Sequence, residues 1–280
     1  MIKKIIGITT FLFFCFLPVI SASPQKDITL TLVEKQIQEL SPSGCKIVYY
    51  VNLSNASSKD YYLSGYKYQF MIGQDEYISL SQPMEPELRI PAVKDTMIAI
   101  PVKITYDLLF RSVPEAADKD MIQCFLAGEL GFSDGRRERG RIPVSFKGEF
   151  PVFKAPSVHL NAIILKTLTV GGADLDFAAT FSNPNGFELM VDAITYSVKI
   201  GGHEINHGRI KGDKNIPKKG EKKFQLPQLI NFYEVGKDVY ALLQQESASC
   251  SFNGVIKLRT IWGGLEVPFE LTEKAPIRKE

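Results

Sequence analysis

Two stretches of this chain lie over each other without a gap when one is shifted by 128 residues. Leu32 falls on Leu160, Gly44 on Gly172, Ser54 on Ser182, Asn55 on Asn183, Tyr68 on Tyr196, Gly73 on Gly201 and Glu76 on Glu204. A second block matches at a shift of 126, with Cys124 on Cys250 and Gly128 on Gly254. A small loop deletion separates the two shifts. Self-similarity at this period predicts one domain built twice. The expected organisation is a signal peptide over 1–22, one repeat over 26–154 and a second over 156–275.

A length of 280 residues agrees with about two domains. Each copy, about 120 residues long, can bury a core without disulfide or metal. The first 22 residues read as a targeting segment. Lys3 and Lys4 precede an apolar run from Ile5 to Ile20, and Ile20-Ser21-Ala22 offers a cleavage site after Ala22. Retention of the run as a membrane anchor is the alternative, and lipid attachment at Cys15 is a third. In each case the protein is exported, to the periplasm or cell envelope. Without Lys3 and Lys4 the bases and acids are equal in number, which argues against a nucleic-acid partner. Cys45, Cys124 and Cys250 remain. An odd number leaves at least one free thiol. They read as small buried hydrophobes, with a Cys45–Cys124 bridge as the alternative.

Strand signals dominate both copies. Lys46–Leu53, Tyr66–Ile72 and Thr96–Val102 are rich in β-branched and aromatic residues, as are Leu175–Phe181, Ile194–Ile200, Gly254–Arg259 and Leu265–Leu271. Several alternate with a period of two, and turn residues separate them as in a sandwich. One helix is expected per copy. Asn231 caps the segment that starts at Phe232, with Glu234 as its capping-box partner. Phe232, Val235, Val239, Leu242 and Leu243 share a face, and Gly236 weakens the middle. Tyr106–Phe110 is the equivalent in copy one. The fold class is therefore mainly β: two tandem immunoglobulin-like or fibronectin-III-like sandwiches, each with one short helix. Pro151 and Pro156 stiffen a short boundary and limit domain motion.

The segment Thr180-Phe-Ser-Asn-Pro-Asn-Gly-Phe-Glu-Leu ends a strand. Asn183 precedes proline and is pushed toward extended geometry. Pro184 presets a turn, and Asn185-Gly186 tolerate positive φ. With Pro156-Ser-Val-His-Leu before it and Ile194–Ile200, Gly201-Gly202, Ile205–Gly208 and Ile216-Pro217 after it, the pattern resembles the group 2 late embryogenesis abundant proteins. Their domain is also called WHy, for water stress and hypersensitive response. Copy one departs at the turn, where Asn55-Ala56-Ser57 stands. The resemblance implies a sandwich with one helix and a non-enzymatic role in tolerance of drying, freezing or other stress. It also implies export and, in related membrane-anchored proteins, lipid held between sheets.

His203-Glu-Ile-Asn-His207 matches the H-E-x-x-H pattern of zinc proteases. Those need a helix, so that both histidines converge on one metal. Here the flanking glycines and strand alternation predict a hairpin tip, with the histidines ~13 Å apart. His159 is expected to point outward. No catalytic, cofactor or metal residue is assigned. Two basic loops remain: Arg136, Arg137 and Arg139 in copy one, and Lys218, Lys219, Lys222 and Lys223 in copy two. They would serve as contacts to an anionic lipid surface if they share one end of the molecule.

Three functions fit. The first is a protective envelope protein. The second is a module that binds or transfers lipid or another apolar ligand, suggested by the aromatic residues from Tyr49 to Phe70. The third is an adaptor that docks another envelope protein through sheet edges or basic loops. Membrane lipid and envelope proteins are the expected partners, and no cofactor is expected.

Overall fold

The computed structural model describes residues 24–73 and 75–280, so the signal peptide expected over 1–22 lies outside the described residues. The fold is mainly β, in several sheets with few short helices. After a helical turn, α1 (Pro24–Asp27), come β1 (Ile28–Ser41), β2 (Gly44–Asn55), β3 (Tyr61–Ile72), β4 (Asp75–Ile90) and β5 (Lys94–Thr105). Helix α2 (Tyr106–Ser112) and a 3₁₀ turn (Pro114–Asp118) lead to β6 (Met121–Ser133) and β7 (Glu138–Pro151). Residues 152–156 join this half to β8 (Ser157–Leu168), β9 (Gly172–Ser182), β10 (Leu189–Ile200), β11 (His203–Ile216) and β12 (Glu221–Asn231). Helices α3 (Phe232–Val235) and α4 (Lys237–Leu243) precede β13 (Ser247–Thr260) and β14 (Gly263–Lys279).

The first half forms two sheets, β1-β2-β5 and β4-β3-β6-β7. The second half has the same pairing order, β8-β9-β12 and β11-β10-β13-β14. There the two sheets are also joined, because β14 pairs in parallel with β8 through Ile277↔Ile163, Arg278↔Ile164 and Lys279↔Leu165. The faces that meet carry the alternating apolar positions. Tyr49 of β2 stacks on Phe146 of β7 at 5.9 Å, and Phe177 of β9 meets Phe252 of β13 edge-on at 4.8 Å. Equivalent hydrogen bonds cross the two sandwiches at the same place. Tyr68 Oη donates to the Pro101 carbonyl at 2.9 Å, and Tyr196 Oη to that of Pro227 at 3.2 Å. Pro101, Pro143, Pro227 and Pro268 lie within β5, β7, β12 and β14. Proline donates no ladder hydrogen bond. It is tolerated because β5, β7 and β12 are edges, and β14 has a neighbour on its second side only over its last residues.

The helical segments depart from expectation. The predicted single helix after Asn231 is broken at Gly236, whose φ of 96° leaves the helical region and starts α4 afresh. The cap forms in part: Asn231 Oδ1 accepts from Tyr233 N–H at 3.1 Å, but Glu234 Oε1 accepts from the Asn231 side-chain amide at 2.9 Å in place of its main-chain N–H. The first half likewise has two pieces, α2 and the 3₁₀ turn. In α3 and α4 the buried members of the expected face are Phe232, Val239 and Leu243.

The halves are in contact. Strand β1 touches β14, and Phe150, Val152 and Phe153 at the boundary are buried. The boundary behaves as core.

Candidate functional site

Two places stand out: the joint around Asn183, and the seam between the edge strands of the first half.

The joint grows from the Asn-Pro-Asn turn. Asn183 is almost fully buried. Its amide donates to the carbonyls of Phe187, Ile216 and Pro217 at 2.8, 3.3 and 3.1 Å, and its Oδ1 accepts from Asn185 N–H at 2.9 Å. One side chain thus ties the loop at Phe187 to the end of β11 at Ile216-Pro217 by donating to main-chain carbonyls on both. Asn55 does the same in the first half. Its amide donates to Lys59, Ile90 and Pro91 at 2.8, 3.2 and 3.1 Å, and Ser57 N–H donates to its Oδ1 at 3.0 Å. Positive φ recurs too, at Val93 (54°) and Lys219 (51°). Departure from Asn-Pro-Asn in the first half therefore leaves the local geometry intact.

What differs is the next residue. Asn185 reaches across the boundary. Its amide donates to the Lys154 carbonyl at 2.8 Å, and its Oδ1 accepts from Lys154 N–H at 2.7 Å. Beside it, Lys219 Nζ donates to Asp120 Oδ1 and to the Pro184 carbonyl, both at 2.7 Å. Burial alone would raise the Asp120 pKa. Lys219, Lys154 and the Gly186 N–H outweigh it and hold the carboxyl below its usual range. Any side chain at Gly186 would collide with Asp120 Oδ2, 2.6 Å from where its Cβ would stand. Phe187 packs between Phe153 and Trp262. The turn read in sequence as a strand end is thus the clamp between the halves. Asp120 and Lys154, its partners, carried no sequence signal, because nothing local marks a residue that waits for a distant asparagine.

The structure does not bring the basic residues together. Arg136 and Arg137 sit in the β6–β7 hairpin, where their N–H groups donate to Asp134 Oδ1 at 3.0 and 2.9 Å and Arg139 pairs with the same carboxylate. The Arg137 N–H, the Arg139 guanidinium and the Arg136 N–H lower the Asp134 pKa to about 2. Lys218 and Lys219 form the β11–β12 turn at the joint, and Lys222 and Lys223 are exposed on the edge strand β12. Strand β6 runs from the joint to that hairpin, roughly 40 Å at 3.3 Å per residue. The condition of a shared end is not met.

His203–His207 lies on β11, straight after the Gly201-Gly202 turn, and His207 Nε2 stands 3.6 Å from Glu204 Oε1. An extended backbone keeps residues four apart from sharing a metal. His159 is exposed, with Nδ1 2.8 Å from Glu273 Oε1.

The second place is a cleft of about 600 Å³, open to solvent, lined by Lys35 of β1, Gly73, Gln123–Phe125 of β6 and Lys147–Glu149 of β7. Lys35 Nζ spans it to the Glu149 carbonyl at 2.7 Å. At its floor Cys124 Sγ and Tyr49 Oη lie 3.7 Å apart. Cys45, Cys124 and Cys250 are all free thiols and buried, so the bridge considered between Cys45 and Cys124 is not formed. Burial pushes the Cys45 and Cys250 thiols up to about 12, and raises Cys124 as well. Raised in this way, the thiols stay protonated and are slow to react.

A family model described as "Late embryogenesis abundant protein" matches residues 179–273, a segment that contains the clamp turn. No curated protein matches the sequence. Among solved structures, a protein from Archaeoglobus fulgidus is similar at 15% identity and a TM-score of 0.36, over 44% of this chain and 97% of that one. Bacteroides uniformis β-glucuronidase 2, covalently bound to cyclophellitol-6-carboxylate aziridine, is similar at 8% identity and a TM-score of 0.26, over 84% of this chain and 26% of that one. Neither likeness is strong enough to bear on activity.

Proposed function

We propose that this protein is a non-enzymatic component of the cell envelope, built from two copies of a late embryogenesis abundant type 2 (WHy) domain, that protects membranes or other proteins when water is scarce. The observation that carries this reading is the family match over 179–273. The duplication is supported by the sequence shifts and by the recurrence of one pairing order in both halves. Export is supported by the basic and apolar N-terminal residues.

A physical mechanism supports the same reading. Loops usually complete their hydrogen bonds with water. Here Asn55 and Asn183 supply donors to three carbonyls each from inside the protein. Those turns stay satisfied as water is withdrawn, so the sandwich keeps its shape under the stress it meets. The cleft does less for the lipid-holding reading. Lys35, Gln123, Lys147 and Glu149 line it, and burying such groups against an acyl chain is costly.

The test is a freeze–thaw assay on a labile enzyme. The protein with both halves present is expected to preserve more activity than an equal mass of albumin. Parity with albumin overturns the protective role.

A further inference from the structure

We propose that the seam between β1 and β7 accepts an extended peptide from a partner polypeptide, in the place that the end of β14 fills in the second half. The inference rests on the geometry of the seam alone and holds whether or not the protein protects others from stress.

The two seams are built from equivalent strands and finished differently. In the second half β14 continues past its pairing with β13, and Ile277–Lys279 form a parallel ladder with Ile163–Leu165 of β8. Higher up, Glu273 Oε2 accepts from Leu160 N–H at 2.7 Å. Leu242 of α4 covers the hairpin glycine, since a Cβ on Gly201 would stand 2.3 Å from it. In the first half each closure is missing. Strand β7 ends at Pro151, the position equivalent to Ile277, and the chain turns away into the boundary. Ile163 is replaced by Lys35 and Glu273 by Lys147, which offers no acceptor to a backbone N–H. Nothing lies within 4 Å of a Cβ on Gly73. Both flanking strands are sheet edges.

Exposed edges invite strand addition, and a lysine turned across an edge is a device that keeps them soluble. Lys35 does this by capping the Glu149 carbonyl. An incoming strand can take over that carbonyl by main-chain pairing, the usual source of affinity in β-augmentation. The charge of the site selects among peptides. With Lys35 and Lys147 on its rim, the seam favours a segment that brings a carboxylate, followed four residues later by an apolar side chain. That is the spacing of Glu273 and Ile277, which close the other seam.

A fluorescent peptide reproducing Leu271–Glu280, titrated into the protein with both halves intact and followed by anisotropy, tests this. Saturable binding is expected, weakened at least tenfold by Lys147→Glu and unchanged by Lys103→Glu on the exposed face of β5. Lys147 is exposed, so its variant should fold, and an unchanged near-ultraviolet circular dichroism spectrum verifies it. No saturation, equal binding of a scrambled peptide, or indifference to Lys147→Glu overturns the proposal. So does a fatty acid that binds in place of the peptide and is lost with the same variant, which would give the cleft to lipid.

Discussion

The two halves share a strand order and differ where their sheets meet at one edge. In the second half the final strand crosses from one sheet to the other and closes the seam, burying Ile163 completely. In the first half the equivalent strand must lead into the boundary, so the same edge holds a lysine bridge and a cleft. Connectivity, rather than any change of fold, leaves one seam open. The second lesson lies at the turns. Asn55 and Asn183 make matching bonds, yet only the Asn183 turn also holds the halves together, because Asn185 stands where the first half has Ser57.

The most damaging way to test that equivalence is to remove the asparagines. Asn183→Ala and Asn55→Ala each remove a side-chain amide that donates to three main-chain carbonyls. Each should cost about 3 kcal/mol in urea unfolding. A loss under about 1 kcal/mol at either site would mean that the two turns are not equally built in. Deleting Ile277–Glu280 should open the closed seam at a cost of about 2 kcal/mol, from lost ladder bonds and newly exposed apolar surface. Amide exchange at Ile163–Leu165 should rise in that variant, while Lys35–Ile37 should not change. Thiol labelling at pH 8 compares the seams without mutation. Burial raises both thiols; at Cys124, which lines the open cleft, the hydrogen bond with Tyr49 and then the charge of Lys35 oppose it, while Glu149 adds to it. Cys124 should therefore react about tenfold faster than Cys250, and equal rates would show that the cleft admits no reagent.

The smallest effect concerns the joint. The Asp120 pKa is lowered in the folded protein. Its contribution is therefore present above the unfolded carboxylate value, about 3.9, and is lost as pH falls through the lower folded one. Because the pair is partly exposed, roughly 0.5–1 kcal/mol is at stake. Stability between pH 5 and pH 2 should decline less steeply in Asp120→Asn than in the unaltered chain. Identical slopes would remove Asp120 from the clamp.

Much of this was legible from residues alone. The strand runs, the helix cap at Asn231 and the hairpin nature of His203–His207 follow from periodicity and local turn chemistry, which act over a few residues. The shift of 128 set Asn55 on Asn183, while their shared hydrogen-bonding role came only with the structure. The split of the helix at Gly236 was visible only as a weak point, because a helical glycine costs little until the tertiary fold asks for a positive φ.

The sequence by itself determined the β class, the internal self-similarity and the placement of the turns, since these depend on local preference and on period-two alternation. Only the tertiary structure decided that Asn185 clasps Lys154, that Lys219 finds Asp120, that the basic loops lie at different ends of β6, and that one seam is closed and the other open. Those outcomes depend on which edges the connections bring side by side. Contacts between residues some 30 to 115 positions apart leave no mark in the spacing of either partner.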